Sequence, residues 1–217
     1  MLSQPWATCG RVAAIHSTVL RARGGVWHKK DREVGHVPHT DMDTEAHWTQ
    51  SGWRGWVYGW KLHLVPTVAT VWIALVADLT PANVVDNEHA IWLLPEEPAE
   101  ARYLLGDQYY HAPSPHTAYA ANQQSVIAYR KGLYPHVDAG AAVRKLFQQL
   151  RSHAIENFNN QFKVIFDTHG PVPTKGLVNT RRFALFSSIN FLYGTALSTV
   201  LTCVSAATPF SKLLEHL

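Results

Sequence analysis

The sequence has few cysteines and lacks several features that would assign it to a class. Only Cys9 and Cys203 are present among 217 residues, far apart and without a metal-binding spacing. They give no disulfide framework, so a reducing cytoplasm is the expected environment. The first ten residues, MLSQPWATCG, lack the basic and then apolar pattern of a signal peptide. No internal repeat and no low-complexity segment is present, which excludes solenoid and fibrous classes.

Charge is absent from one long segment near the C-terminus. No charged residue occurs between Phe183 and Phe210, a stretch long enough to span a bilayer. Its many serine and threonine residues make it more polar than most spanning helices. A buried helix over residues 183–204 is therefore the favoured interpretation, so no membrane association is expected. A small membrane protein anchored by residues 183–207 is the alternative.

The composition is that of a globular chain. Hydrophobic residues make up 47% of the sequence and charged residues 16%, which excludes a disordered chain. The length suits one domain of ordinary size. The formal net charge of +3 permits a polyanionic partner without proving one. We therefore expect a single domain over residues 1–217.

The periodicity of apolar residues predicts an α/β domain with a mixed five-stranded sheet flanked by helices. The predicted strands are Val12–Thr18, Trp56–Val65, Val68–Val76, Arg102–Gly106 and Ser125–Tyr129, and the predicted helices are Asn83–Leu94, 114–124, 138–166 and one after Gly176. Residues 11–80 would hold the first strand, a long surface loop from Val26 to Gly52, and a hairpin. Residues 81–167 would alternate strands and helices, and residues 176–207 would form a C-terminal helix.

Two carboxylates stand out in this arrangement. Asp107 follows the end of a predicted buried strand, where ligands gather in α/β sheets. Glu156 lies in the predicted long helix, with Lys163 two turns further on the same face. Two carboxylates at a sheet edge can hold divalent metal ions, and a lysine beside them can contact a phosphate. The alternatives are a capping or turn role for Asp107 and a solvated position for Glu156.

Several segments together resemble a known family. They are AAIHSTVLRARGGVWHKKDR, DTEAHW, GWVYGWKLHLV, TPANVVDNE, LLGDQYY, LRSHAIENFNNQFKVIF and VPTKGLVNTRRFAL. From about residue 11 to about residue 200 the chain resembles the catalytic domain of DDE transposases from bacterial insertion sequences, in the insertion-sequence-four group. The resemblance implies a ribonuclease-H-like fold and two metal ions, Mg²⁺ or Mn²⁺, held by an Asp, Asp, Glu triad. It also implies transposition chemistry, in which DNA is nicked and transposon ends are joined to a target.

The resemblance assigns roles to individual residues. Asp107 matches the second aspartate and Glu156 the glutamate, so these two would be the metal ligands. Lys163 stands at the spacing of the family's DNA-binding lysine. The arginine expected four positions before the glutamate falls on Ser152, and Arg151 is one place away.

The first aspartate of the triad is replaced. The family's segment of the form Asp-Ser-Thr corresponds here to His16, Ser17 and Thr18. Histidine offers one nitrogen lone pair and no negative charge, whereas Mg²⁺ prefers oxygen ligands. We therefore expect weak metal binding and a degenerate copy with impaired activity. Complete family members also carry a helical segment ahead of the first strand, so a truncated copy is expected, because only about fifteen residues precede His16.

A protein of a different class is the alternative: a catalytically silent remnant that still binds DNA. Its phosphate contacts would be sequence-independent. The candidate cations are Lys29, Lys30, Arg32, Lys61, Arg151, Lys163, Lys175, Arg181 and Arg182. In both interpretations the partner is DNA rather than a small molecule, self-association as a homodimer is compatible, and the location is the bacterial cytoplasm with the nucleoid.

Overall fold

The computed structural model describes residues 11–52, 54–68, 74–97, 101–128 and 141–188. Within these ranges the strands are β1 (Val12–Ala14), β2 (His16–Arg21), β3 (His47–Ser51), β4 (Gly55–Pro66), β5 (Ala74–Pro81), β6 (Tyr103–Leu105) and β7 (Ser125–Ile127). The α-helices are α1 (Lys29–Glu33), α2 (Asp86–Leu93), α3 (Pro113–Ala121), α4 (Ala141–Ile165) and α5 (177–188). Short 3₁₀ turns cover Leu94–Glu96 and Gln108–Tyr110. The protein is therefore a mixed α/β fold.

The first strand is central in the sheet. β1 and β2 follow one path that is interrupted only at Ile15, whose backbone N–H donates to the Leu105 carbonyl over 3.0 Å. β1 pairs in parallel with β6, and β6 in parallel with β7. β2 pairs antiparallel with β4. The first strand thus lies between β6 and β4, which joins the parallel and antiparallel parts of a mixed sheet.

The far edge of β4 is shared by two strands. β3 pairs antiparallel with residues 55–59, and β5 with residues 60–66. Gly59 faces Arg21 of β2 on one side and His47 of β3 on the other. A Cβ atom at Gly59 would overlap the Leu20 carbonyl oxygen. Only glycine therefore allows β2 and β4 to approach so closely at this point.

Helices cover both faces of the sheet. On one face Trp60 and Leu62 of β4 pack with Phe158 and Phe162 of α4, and all four side chains are buried. The other face packs against α2 and α3, in a cluster that includes Ile15, Val65, Ala90, Leu93 and Tyr119. Burial on both faces stabilises the central strands by roughly 1.5–3 kcal/mol per large apolar side chain. The prediction of a mixed sheet with helices on its faces is confirmed.

Two details of the predicted elements are wrong. The segment predicted as a long surface loop contains α1 and β3. β3 has the polar sequence HWTQS, and it is a strand because the free edge of β4 offers backbone partners rather than because of its own apolar pattern. The second hairpin strand lies at Ala74–Pro81 rather than at 68–76, and residues 69–73 lie outside the described residues. β3 and the interruption of the first strand at Ile15 explain why the five expected strands become seven strand segments within the described ranges.

The C-terminal helix α5 begins where predicted, after Gly176. Ala184, Ser187 and Ser188 are buried, and the Ser188 hydroxyl donates to the Ala184 carbonyl over 2.8 Å. A serine hydroxyl on a helix commonly bonds in this way to the backbone carbonyl one turn earlier. The remainder of the predicted helix, and of the candidate membrane span, lies outside the described residues. Among the described helices, none has the length and apolarity needed to cross a bilayer.

Candidate active-site cleft

The structure brings His16 and Asp107 together. His16 begins β2, and Asp107 lies two residues beyond the end of β6, next to it in the sheet. The His16 Nδ1 atom is 3.9 Å from Asp107 Oδ2, and the two side chains are 33% and 26% exposed. The separation exceeds a hydrogen bond. Parallel pairing of β1 with β6 is what joins these positions, which are 91 residues apart in the sequence.

A tight turn fixes the Asp107 carboxylate. Gly106 lies against the Tyr110 ring, and a Cβ at Gly106 would come within 2.7 Å of Tyr110 Cβ. Asp107 is the N-cap of the following 3₁₀ turn, because its Oδ1 accepts from the Tyr109 backbone N–H over 2.8 Å. The capping role considered from the sequence is therefore present. The second oxygen, Oδ2, remains directed at His16.

Both residues line a cleft of about 680 Å³. It runs between the sheet, the β3–β4 turn, the start of α2 and the last turns of α4. Its lining residues with a charged side chain or an imidazole are His16, Arg54, Lys61, Asp86, Asp107 and Lys163. A smaller adjoining cavity of about 380 Å³ is also lined by Asp107, together with Arg151 and Ser152 of α4.

The cleft keeps His16 neutral at pH 7. Burial lowers the pKa of His16 from its ordinary value, and the Asp107 carboxylate, which acts in the opposite direction, does not offset it. The positive charge of Arg151 lowers that pKa further, and Lys163 does so more weakly. The imidazole thus adds a neutral nitrogen at the position where the sequence resemblance expects a carboxylate.

The cations of α4 face this region. Lys163 lines the larger cleft, and burial together with the charge of Arg54 lowers the pKa of Lys163 to about 8. Arg151 lines the smaller cavity, so the one-place shift from Ser152 still leaves a guanidinium beside Asp107. Lys61 also lines the cleft, but its Nζ is 3.0 Å from Asp86 Oδ1 and donates to the Val84 carbonyl over 2.8 Å. Lys61 is therefore committed to Asp86.

Glu156 is placed differently from the other predicted residues. Its side chain is exposed. On α4 it lies one turn from Ser152 and one turn from Asn160, which line the smaller cavity and the larger cleft, respectively. No hydrogen bond or ion pair joins Glu156 to His16 or Asp107 within the described part of the chain. The structure therefore brings together His16 and Asp107 without a contact to Glu156.

The other predicted cations lie elsewhere. Lys29 and Lys30 are exposed on α1, and Lys29 pairs with Glu33 at 3.7 Å; neither residue lines the cleft. Lys175 donates to the Thr40 carbonyl, and Arg181 pairs with Asp78 at 3.1 Å. These contacts tie α5 to the sheet and to the segment before β3.

The aspartates between β2 and β3 interact with partners other than His16. Asp31 Oδ1 lies 3.8 Å from His36 Nδ1, and Asp41 Oδ1 lies 3.4 Å from Arg23 Nε. Asp43 is buried and accepts from the Gly176 backbone N–H over 3.0 Å. The described residues of this segment therefore supply no carboxylate at His16.

The donor set does not fit two Mg²⁺ ions. Among the described residues there is no group of three or more His, Cys, Asp or Glu side chains that could hold a metal ion. One oxygen of Asp107 is bonded to Tyr109, His16 supplies nitrogen rather than oxygen, and Glu156 stands apart. A pair of hard divalent ions needs several carboxylate oxygens at one point. Weak Mg²⁺ binding therefore stays a prediction.

Two residues of the cleft were missed at the level of the sequence. Arg54 lies in the turn between β3 and β4, and that hairpin was hidden by the polar composition of β3. Asp86 is the first residue of α2 and lies in the segment TPANVVDNE, which carries part of the family resemblance. An Asp beside a predicted helix start was a usable signal for Asp86.

A scan against protein-family models found no family that matches, and searches among curated proteins and among solved structures found no match.

Proposed function

We propose that this chain is a DDE-transposase-like domain, with a ribonuclease-H-like fold, that binds DNA along the cleft. Its phosphodiester cleavage and strand transfer are impaired because His16 stands in place of the first carboxylate. The observation that carries the proposal is the approach of His16 to Asp107, 3.9 Å apart at the junction of the central strand and β6. The sequence resemblance requires this approach, and nothing in the local sequence around either residue demands it.

The sheet order also supports the proposal. The strand that carries His16 is central and lies beside the strand that leads into Asp107. α4 packs across the face of the sheet that these two strands share. α4 then places Lys163 in the cleft and Arg151 in the adjoining cavity. Cationic side chains beside a carboxylate edge suit a substrate that carries phosphates.

Impaired chemistry follows from the donors that are present. A neutral imidazole cannot bridge two cations, and it does not supply the negative charge that a divalent ion requires. Among the described residues, no hydrogen bond or ion pair joins Glu156 to either His16 or Asp107. These two observations favour the second candidate, a silent DNA-binding remnant, over a fully active enzyme.

A paired binding and cleavage experiment tests the proposal. Fluorescence anisotropy with a labelled DNA duplex measures binding across a salt series, and nicking of a supercoiled plasmid with Mg²⁺ or Mn²⁺ measures chemistry. We expect salt-sensitive binding and little or no nicking by the natural chain. Nicking that equals an intact transposase and disappears in Asp107→Asn would contradict the impairment. Absence of DNA binding at low salt would contradict the proposed function itself.

A further inference from the structure

Two cations in the cleft come from separate elements, and neither has an ion-pair partner among the residues that the structure describes. Arg54 lies in the turn between β3 and β4, where its backbone N–H donates to the Ser51 hydroxyl over 3.3 Å. Lys163 lies in the last turn of α4. Both side chains line the cleft of about 680 Å³.

Several other cations of the described chain pair with carboxylates, and one of them, Lys61, lies in the same cleft. Lys61 pairs with Asp86 at 3.0 Å, Arg23 with Asp41 at 3.4 Å, and Arg181 with Asp78 at 3.1 Å. Within the described ranges, no carboxylate lies within ion-pair distance of Arg54 or of Lys163. Because Lys61 neutralises Asp86, that carboxylate does not compensate the two unpaired cations either.

The positive charges of Arg54 and Lys163 repel each other. Lys163 is half-buried, and an ammonium group loses hydration there. The pKa of Lys163 is lowered to about 8, first by burial and then by the charge of Arg54. An anion between the two side chains would remove this repulsion and supply hydrogen-bond acceptors to both.

We propose that Arg54 and Lys163 together bind a phosphate group in the cleft, without a divalent metal ion. Two cationic donors suit a group that presents several anionic oxygens, and the amide of Asn160 and the hydroxyl of Ser17 line the same cleft as further donors. A phosphodiester of nucleic acid and a free phosphate ion share this chemistry. The nucleic-acid source rests on the function proposed above, whereas the phosphate site itself does not.

The site has a pH signature. Phosphate favours the charged form of Lys163, so its pKa rises when the site is occupied. Phosphate affinity therefore decreases as the pH rises through about 8, where free Lys163 loses its proton.

Isothermal titration calorimetry on the full chain in the presence of a chelator tests the site. The probes are inorganic phosphate and a double-stranded DNA oligonucleotide, each titrated into the natural chain and into Arg54→Gln and Lys163→Gln. Lys145→Gln is the matched control, because Lys145 is an exposed lysine of α4 that lines neither cavity. We expect each cleft variant to weaken the binding of both probes by about five- to tenfold, as for loss of one charge-assisted hydrogen bond, with little effect of Lys145→Gln.

The outcomes separate this inference from the proposed function. If the oligonucleotide binds equally to all variants, the phosphate site is wrong while DNA binding stands. If phosphate binds through Arg54 and Lys163 but the oligonucleotide does not bind, the site is supported and the proposed DNA-binding function is contradicted. Absence of binding by both probes overturns both. Circular dichroism of each variant checks that it is folded.

Discussion

His16 Nδ1 lies 3.9 Å from Asp107 Oδ2, where the central strand passes beside the turn that follows β6. The distance is set by parallel pairing of Ala14 with Leu105 and by the Tyr109 N–H that holds the other Asp107 oxygen. An aspartate at position 16 would therefore place a second carboxylate near Asp107. The affinity of this site for a metal ion and the stability of the domain therefore depend on the side chain at position 16.

The substitution His16→Asp is expected to strengthen Mg²⁺ binding. It adds anionic oxygen ligands beside Asp107, and we expect an affinity gain on the order of tenfold. Without metal, the same substitution should lower the melting temperature, since two carboxylates then repel each other. Calorimetry with Mg²⁺ and thermal unfolding in a chelator measure the two effects. His16→Asn, which adds no charge, is the control, and equal Mg²⁺ affinity in all three proteins would show that His16 is not at a metal site.

His63 is expected to make the protein acid-sensitive. The His63 side chain is buried, with its Nε2 atom 2.8 Å from Thr80 Oγ1 and its ring against the ring of His89. Burial lowers the pKa of His63 from 6.5 to about 3. Its contribution to stability is therefore complete above pH 6.5 and is lost as the pH falls towards 3. Between these limits the free energy of unfolding should fall by at most about 1.4 kcal/mol per pH unit from this group.

Urea unfolding at several pH values between 6.5 and 4.5 measures this dependence. His63→Gln can keep a hydrogen bond to Thr80 and should give a smaller slope than the natural chain. His39→Gln is the control, because His39 is exposed and should leave the slope unchanged. An unchanged slope in His63→Gln would refute the assignment to His63.

Glu97→Gln is expected to stabilise the protein at neutral pH. Glu97 is buried and accepts hydrogen bonds from the Tyr119 hydroxyl over 2.6 Å and from Gln124 over 3.2 Å, but burial still raises its pKa. The favourable contribution of protonated Glu97 is complete below pH 4.5 and is lost as the pH rises through its folded-state pKa. Glutamine removes the charge and keeps one of the two acceptor oxygens, the one that accepts from Tyr119. The gain in unfolding free energy should appear at pH 7 and vanish near pH 4, and the exposed Glu88→Gln should show no such gain.

Asp43→Ala is expected to destabilise α5 and, with it, the domain. The buried Asp43 carboxylate accepts from Gly176 N–H over 3.0 Å and from Glu45 N–H over 3.3 Å. Glu45 in turn accepts from Leu177 N–H over 2.8 Å, so the segment before β3 caps the helix. Loss of these bonds should cost about 1–3 kcal/mol of unfolding free energy. Asp41→Ala in the same segment removes only an exposed pair with Arg23 and should cost less than about 1 kcal/mol, so equal effects would contradict the capping role.

Local patterns were sufficient for the main elements of the sheet. The two-residue period of β4 and the apolar run that leads into Asp107 are sufficient to predict the strands β4 and β6 from the sequence. The three- and four-residue steps through Phe158 and Phe162 likewise identified α4 and its buried face. These periods follow from the backbone geometry of one element, so a sequence displays them directly.

The partners of the charged side chains were decided only by the tertiary structure. The sequence of β3 is polar, and its pairing with β4 placed Arg54 over the cleft beside Lys163. The same packing pairs Asp86 with Lys61 and brings the Asp43 carboxylate to the backbone N–H at the start of α5, whereas Glu156 remains exposed. The sequence by itself determined that a histidine stands where the resemblance expects a carboxylate. Which charges meet there depended on chain segments tens of residues apart, because ion pairs form across space and leave no period in the sequence.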